Sequence, residues 1–224
     1  MTFSIVAKCR RTGQFGIAAA TAMPAVGKLL THAFTGAGAV ATQARINPYL
    51  GIDGLEHLRR GVAAGQVIER LTREDPRMDL RQVAVVDAAG RTAAWTGQGC
   101  PGWAGHHLDD GFSVQGNRLA GPRVLEAAAE AFVALHDKPL DERLIAALAA
   151  GDSEGGDMKG ERSATIYVVD SEEYPIWDIR VDEHDSPIAE LKRLHGVFKD
   201  ELLPQIQKMP TRANPAGEHG EETA

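Results

Sequence analysis

Residues 2–9 alternate between two environments, with Phe3, Ile5, Ala7 and Cys9 on one side and Thr2, Ser4, Val6 and Lys8 on the other. A period of two marks a strand. Residues 10–14, with Gly13, make a turn, and residues 15–22 return as a second strand. That return strand and the run over 36–44 are almost wholly small and apolar, which suits strands covered on both faces. The period then changes. Asp53 and Glu56 have capping-box spacing ahead of Leu55 and Leu58, and Val67, Ile68 and Leu71 mark a second helix. Residues 81–88 and 91–96 form another hairpin across Ala89-Gly90, and a loop rich in Gly, Trp and His leads to a short strand over 111–115. Pro122 opens a helix with Val124, Ala128, Phe132 and Leu135 on one face. Pro139 opens the next, which carries Leu140, Leu144, Ala147 and Leu148 and ends at Gly151. Strands over 163–169 and 175–181 precede a last helix from Pro187 with Ile188, Leu191, Leu194 and Phe198.

Strands thus come in hairpins and helices in pairs, which argues against a βαβ parallel sheet. The pattern predicts an α+β fold of four layers, αββα: two packed antiparallel sheets with helix pairs outside. One domain over 1–205 is expected, followed by a Pro-, Gly- and Glu-rich tail over 206–224 that reads as disordered.

Composition narrows the function classes. Of 224 residues, 43% are hydrophobic and 25% charged, as in a soluble globular protein, and no apolar run approaches the ~18 residues that span a bilayer. No secretory signal pattern is visible, so a cytoplasmic location and no membrane partner are expected. The formal charge of -7, without a basic stripe, argues against nucleic acid as a partner. Cys9 and Cys100 are too few for a disulfide framework or a four-cysteine zinc site. His106 and His107 beside Asp109 and Asp110 lack a third His or Cys at helical spacing, so no metal is assigned. The expected cofactor set is none.

Thr2 follows Met1 directly. Removal of Met1 would leave a threonine with a hydroxyl and a free α-amine on one residue, a known nucleophile–base pair. By itself that position is unremarkable. The order of elements, however, is similar to that of the N-terminal-nucleophile (Ntn) hydrolases, in which the catalytic residue heads the first strand. Several segments carry a narrower resemblance: Thr-Phe-Ser-Ile-Val-Ala at 2–7, Met-Pro-Ala-Val-Gly at 23–27, and Gly-Ala-Val-Ala-Thr-Gln-Ala at 38–44. Further along come Trp-Ala-Gly-His at 103–106, Gln-Gly-Asn at 115–117, Gly-Gly-Asp at 155–157, Ser163-Ala164 and Arg-Val-Asp at 180–182. On these the chain resembles domain-of-unknown-function family 1028, an Ntn-hydrolase-like family, over roughly residues 2–195. Arg162 departs from the family pattern, which has Gln before the Ser-Ala pair.

The resemblance implies an amidohydrolase acting on a small amide or peptide-like bond through an acyl-enzyme, with Thr2 as nucleophile and its amine as base. Asn117 is the candidate oxyanion donor, and capping of the following helix is its equally natural structural role. Asp157, after Gly155-Gly156, is a candidate third group that orients the amine. Thr42, Gln43 and Arg45 at the end of a strand, with Ser163, are candidate substrate-binding residues, Arg45 reading a carboxylate bidentately. Two other readings stay open: a non-catalytic ligand-binding or assembly protein on the same scaffold, and a thiol enzyme using Cys100. The apolar helix faces permit a homodimer.

Overall fold

The computed structural model describes residues 2–218. Ten strands make two antiparallel sheets. The first sheet has the order β10-β9-β2-β1-β8-β7, from β1 (Thr2–Lys8), β2 (Phe15–Thr21), β7 (Trp103–Asp109), β8 (Phe112–Leu119), β9 (Ser163–Val169) and β10 (Pro175–Val181). The second has the order β3-β4-β5-β6, from β3 (Thr31–Phe34), β4 (Gly38–Ala44), β5 (Arg81–Asp87) and β6 (Thr92–Thr96). Helices α1 (Pro48–Arg59) and α2 (Ala64–Glu74) cover the outside of the second sheet. Helices α3 (Arg123–Ala134), α4 (Leu140–Ser153) and α5 (Pro187–Glu201) cover the first, and a single turn, α6 (Leu203–Ile206), follows. The αββα layering expected from the sequence is present. Among the described residues no helix is long and apolar enough to cross a membrane.

Three apolar layers hold the sandwich. Phe3, Ile5, Leu144, Leu148 and Ile166 pack the first sheet against its helices. Val40, Leu58, Val67, Leu71 and Val83 do the same for the second. Between the sheets lie Val6, Ile17, Ala19, Ala41, Ala84 and Val86. The alternation seen at 2–8 therefore separates a helix-facing side from a sheet-facing side, and both are buried, which is why β2 and β4 read as continuous small apolar runs.

Four local expectations change. Helix α1 begins at Pro48, with Asn47 as its N-cap accepting from Tyr49 N–H at 3.1 Å, so Asp53 lies in the helix and caps nothing. Strand β3 is too short and too mixed in polarity to register as a period. The Gly-, Trp- and His-rich stretch is an exposed edge strand, β7, and β8 runs through 119, so Asn117 sits in a strand and not before a helix. Finally, within the segment 206–224, which composition marks as a disordered tail, residues 210 and 212 contact the β9–β10 turn: Tyr174 OH donates to Pro210 O at 3.0 Å and Arg212 N–H to Glu172 at 3.1 Å. Residues 219–224 of that tail lie outside the described residues.

Candidate active site

Pairing across the first sheet sets the surroundings of Thr2. As the first residue of β1 it lies opposite Thr21 at the end of β2 and opposite Asn117 near the end of β8. Its side chain faces the second sheet, is 8% exposed, and its Oγ1 is 3.1 Å from Thr21 Oγ1. Here the inter-sheet layer turns from apolar to polar. Ser4, Gln43, Gln82, Gln115 and Asn117 are all buried and linked to one another. Ser4 Oγ donates to Gln43 Oε1 at 2.7 Å, and Gln115 Nε2 donates to Ser4 Oγ at 2.6 Å.

Gln82, on β5, fixes the direction of this network. Its Nε2 lies 3.0 Å from Gly105 O and 2.8 Å from Gly116 O, groups that can only accept. Gln82 Oε1 is therefore an acceptor, and it takes N–H donors from Gln43 Nε2 at 2.8 Å and Asn117 Nδ2 at 3.0 Å. Both of these amides also reach the Thr2 carbonyl, each at 3.4 Å. Turning Asn117 over would set oxygen against oxygen at both contacts, so its orientation is determined. One group is left over: Asn117 Oδ1 is fully buried and has no hydrogen-bond partner among the described residues. The sequence marks Asn117 as a donor to an oxyanion, yet both of its donors are in use, and the free atom is an acceptor.

The other predicted residues separate. Gln43 and Asn117 meet at Thr2. Asp157 does not touch Thr2 among the described residues. Its carboxylate accepts from Ala22 N–H at 3.1 Å and Lys159 N–H at 2.9 Å, which ties its loop to the residue after Thr21. Ser163 pairs with Thr21 across β2 and β9, and its hydroxyl donates to Met23 O at 2.6 Å and accepts from Val26 N–H at 3.0 Å. Both residues therefore brace the chain leaving β2. Thr42 is on the wrong face of β4: alternation turns it toward α1, where its hydroxyl donates to Asn47 O at 3.1 Å. Arg45 is exposed and lines a cavity of about 310 Å³ with Ala44, Leu80, Pro101, Asn117 and Arg118. Arg162 forms a bidentate pair with Glu183 at 2.9 and 2.8 Å on the surface.

Thr21, Gln82 and Arg118 were not legible as site residues. Thr21 follows from hairpin register once β1 and β2 are paired about their turn. Gln82 and Arg118 depend on contacts between sheets and on a bulge, which no local pattern encodes.

Electrostatics near the site are mixed. Burial, and then a hydrogen bond with Asp152, push the Glu161 carboxyl up to about 8, while its Oε1 accepts from Asp157 N–H at 2.7 Å. Burial raises the Cys100 thiol, which donates to Arg81 O at 3.4 Å, the opposite of a thiolate nucleophile. Burial lowers His106, whose Nδ1 is 2.9 Å from Thr96 Oγ1, while the ring of His107 approaches Phe112, so the adjacent histidines point apart along β7. Among the described residues no three His, Cys, Asp or Glu side chains gather as a metal site would require.

Fold and site together define a class: a four-layer αββα protein with a threonine at the head of a central strand. The chain belongs to the family of unknown function DUF1028, which it matches over residues 2–191. The crystal structure of a Silicibacter pomeroyi protein of the same family is similar throughout, with 31% identity, a TM-score of 0.89, and coverage of 98% of this chain and 99% of that chain. Anbu (ancestral beta-subunit) from Yersinia bercovieri is a distant match, with 12% identity, a TM-score of 0.44 and coverage of 91% and 97%, too low to carry an argument. No curated protein matches the chain.

Proposed function

We propose that the protein is an N-terminal-threonine amidohydrolase that cleaves a small amide or peptide-like bond once Met1 is removed. The observation that carries this reading is the unused buried acceptor, Asn117 Oδ1, on the residue paired with Thr2. A free Thr2 amine titrates near ~8, and donation of one of its N–H groups to Asn117 Oδ1 would satisfy that acceptor and orient the base. The αββα layering supports the reading too, because it is the layering of the Ntn hydrolases. Thr2 Oγ1 attacks the substrate carbonyl as its proton passes to the Thr2 amine. The C–N bond then breaks, the proton goes to the leaving nitrogen, and an acyl ester remains on Thr2. Water, deprotonated by the same amine, attacks the ester and releases the acid. In this scheme Thr21 orients the hydroxyl, Gln43 and Asn117 hold the Thr2 carbonyl, and Asp157 and Ser163 brace the chain beside it.

A binding protein on the same scaffold is the second reading, favoured by the near-complete burial of Thr2 and its bond to Thr21. A hydrolysis screen over small amides separates the two, with Met1 removal verified by intact mass for each protein. Thr2→Ala is expected to lower turnover at least about 1000-fold, while Thr2→Ser keeps measurable activity. Full turnover by Thr2→Ala overturns the enzymatic reading.

A further inference from the structure

Two arginines, Arg45 and Arg118, line the cavity beside Asn117, and neither has a carboxylate partner among the described residues. The chain carries 31 acidic against 24 basic residues, and most of its arginines pair with acids. Among the described residues Arg11, Arg70 and Arg143 have no acid partner either, but they hydrogen-bond through their guanidinium groups to backbone carbonyls or to His57. Asp79 stands near the rim beside Gly99, in an exposed ion pair with Arg77 at 3.6 Å.

The backbone on both sides of the cavity is built in a costly way. Ala44, immediately before Arg45, has φ 69°, and Arg118 has φ 58°, both in the left-handed region that side chains disfavour. These are two of the three such non-glycine residues among the described ones. Arg118 is also the extra residue of a bulge: Ala104 pairs with Asn117 and Trp103 with Leu119, which leaves Arg118 without a partner. A bulge breaks strand alternation and re-aims one side chain. Without it, Arg118 would share the face of Gly116, toward the helices; with it, Arg118 lines the cavity. Both backbones are pinned. Arg118 N–H donates to Pro101 O at 2.9 Å, Arg45 N–H donates to Leu80 O at 3.2 Å, and the Arg45 carbonyl accepts from the Arg81 guanidinium. Left-handed residues that cluster at a cavity, held by their surroundings, point to a ligand clamp.

We infer that Arg45 and Arg118 form an anion site in this cavity that takes a carboxylate of the substrate, which makes the substrate class small acidic amides. This rests on the amidohydrolase reading for the word substrate, but the anion site itself does not. The volume suits a small molecule. Asn117, the register partner of Thr2, lines its wall, which puts the cavity next to the residue paired with the head of β1. The planar fork of arginine matches a carboxylate in a way that lysine does not.

Titration calorimetry with succinate as the probe, and its uncharged diamide succinamide as control, tests the site without turnover. The wild type is expected to bind succinate saturably and succinamide not at all, and Thr2→Ala is expected to bind succinate within about twofold of wild type. Arg45→Ala and Arg118→Gly should each weaken succinate at least about tenfold. Glycine is chosen at 118 because it accepts the left-handed backbone and keeps the bulge. Arg118→Lys should recover part of the loss, as a point charge without the fork. No saturable binding of succinate by the wild type up to about 20 mM, or equal binding by the arginine variants, overturns the inference. If the arginine variants fail to bind while Thr2→Ala hydrolyses amides normally, the catalytic reading falls and the anion site stands. If Thr2→Ala is dead and the arginine variants bind like wild type, the reverse holds.

Discussion

Gln82 joins two sheets through one amide, and its position explains much of what surrounds Thr2. Two backbone carbonyls fix its direction, it fixes Gln43 and Asn117 in turn, and Asn117 Oδ1 is left buried without a partner among the described residues. Replacing it by a side chain of similar size without polar atoms strands several buried groups at once, each costing about 1–3 kcal/mol. Gln82→Leu is therefore expected to lose at least about 3 kcal/mol in a urea melt, and a loss below about 1 kcal/mol would show that water or repacking satisfies those groups. At this scale the sequence was legible in part. Thr2 and Gln43 are recognisable as polar residues at the ends of apolar strands, Asn117 only as a residue ahead of a helix, and the fold brings the three together. The role of Asn117 was not legible, because whether an amide offers its donor or its acceptor depends on partners 35 residues away in sequence, at Gln82. Thr42 is placed apart from this network for a simpler reason: in a strand, neighbours of Gln43 must face the other way.

Long, periodic elements are legible in the sequence, and short or edge elements are not. Strands β9 and β10 have the boundaries that their alternation predicts, while β3, of four residues, and β7, mostly exposed, carry no clear period. The start of α1 was displaced because Asp53 and Glu56 imitate a cap. The true cap, Asn47, also ties the start of α1 to the end of α2, because its Nδ2 donates to Asp75 at 2.8 Å. Burial alone would raise the Asp75 carboxyl, but Asn47, the Arg77 N–H and Arg81 outweigh it and hold it low. Asn47→Ala removes a helix cap and one of those donors, and should cost about 1–2 kcal/mol in chemical denaturation. A change below about 0.3 kcal/mol would mean that water replaces the cap. The bulge in β8 belongs to this scale as well, since it converts a strand position into a cavity wall at Arg118.

Across the whole molecule, two sheets packed through small apolar side chains give way at one end to a polar layer, and the head of the central strand β1 lies there. The loop that bears Asp157 closes this end, and Glu161 holds it by accepting from Asp157 N–H. Because Glu161 titrates near 8 when folded and near its ordinary 4.5 when unfolded, the folded state binds the extra proton between those values. Its contribution to stability is thus full below about 4.5 and declines as pH rises through about 8. Thermal midpoints measured across this range should fall less steeply with pH in Glu161→Gln than in the wild type, and parallel slopes would remove Glu161 as the cause. The layering itself was legible from hairpins alternating with helix pairs, whereas the closure of the site was not, since it depends on loops with no period. All of this converges on one residue. Untagged protein treated with an acylating β-lactone and weighed by intact-mass spectrometry reports on it in one measurement. The expected result is a mass lacking Met1, with a single acyl adduct that Thr2→Ala does not form. Quantitative retention of Met1, or an adduct that persists in Thr2→Ala, would contradict it.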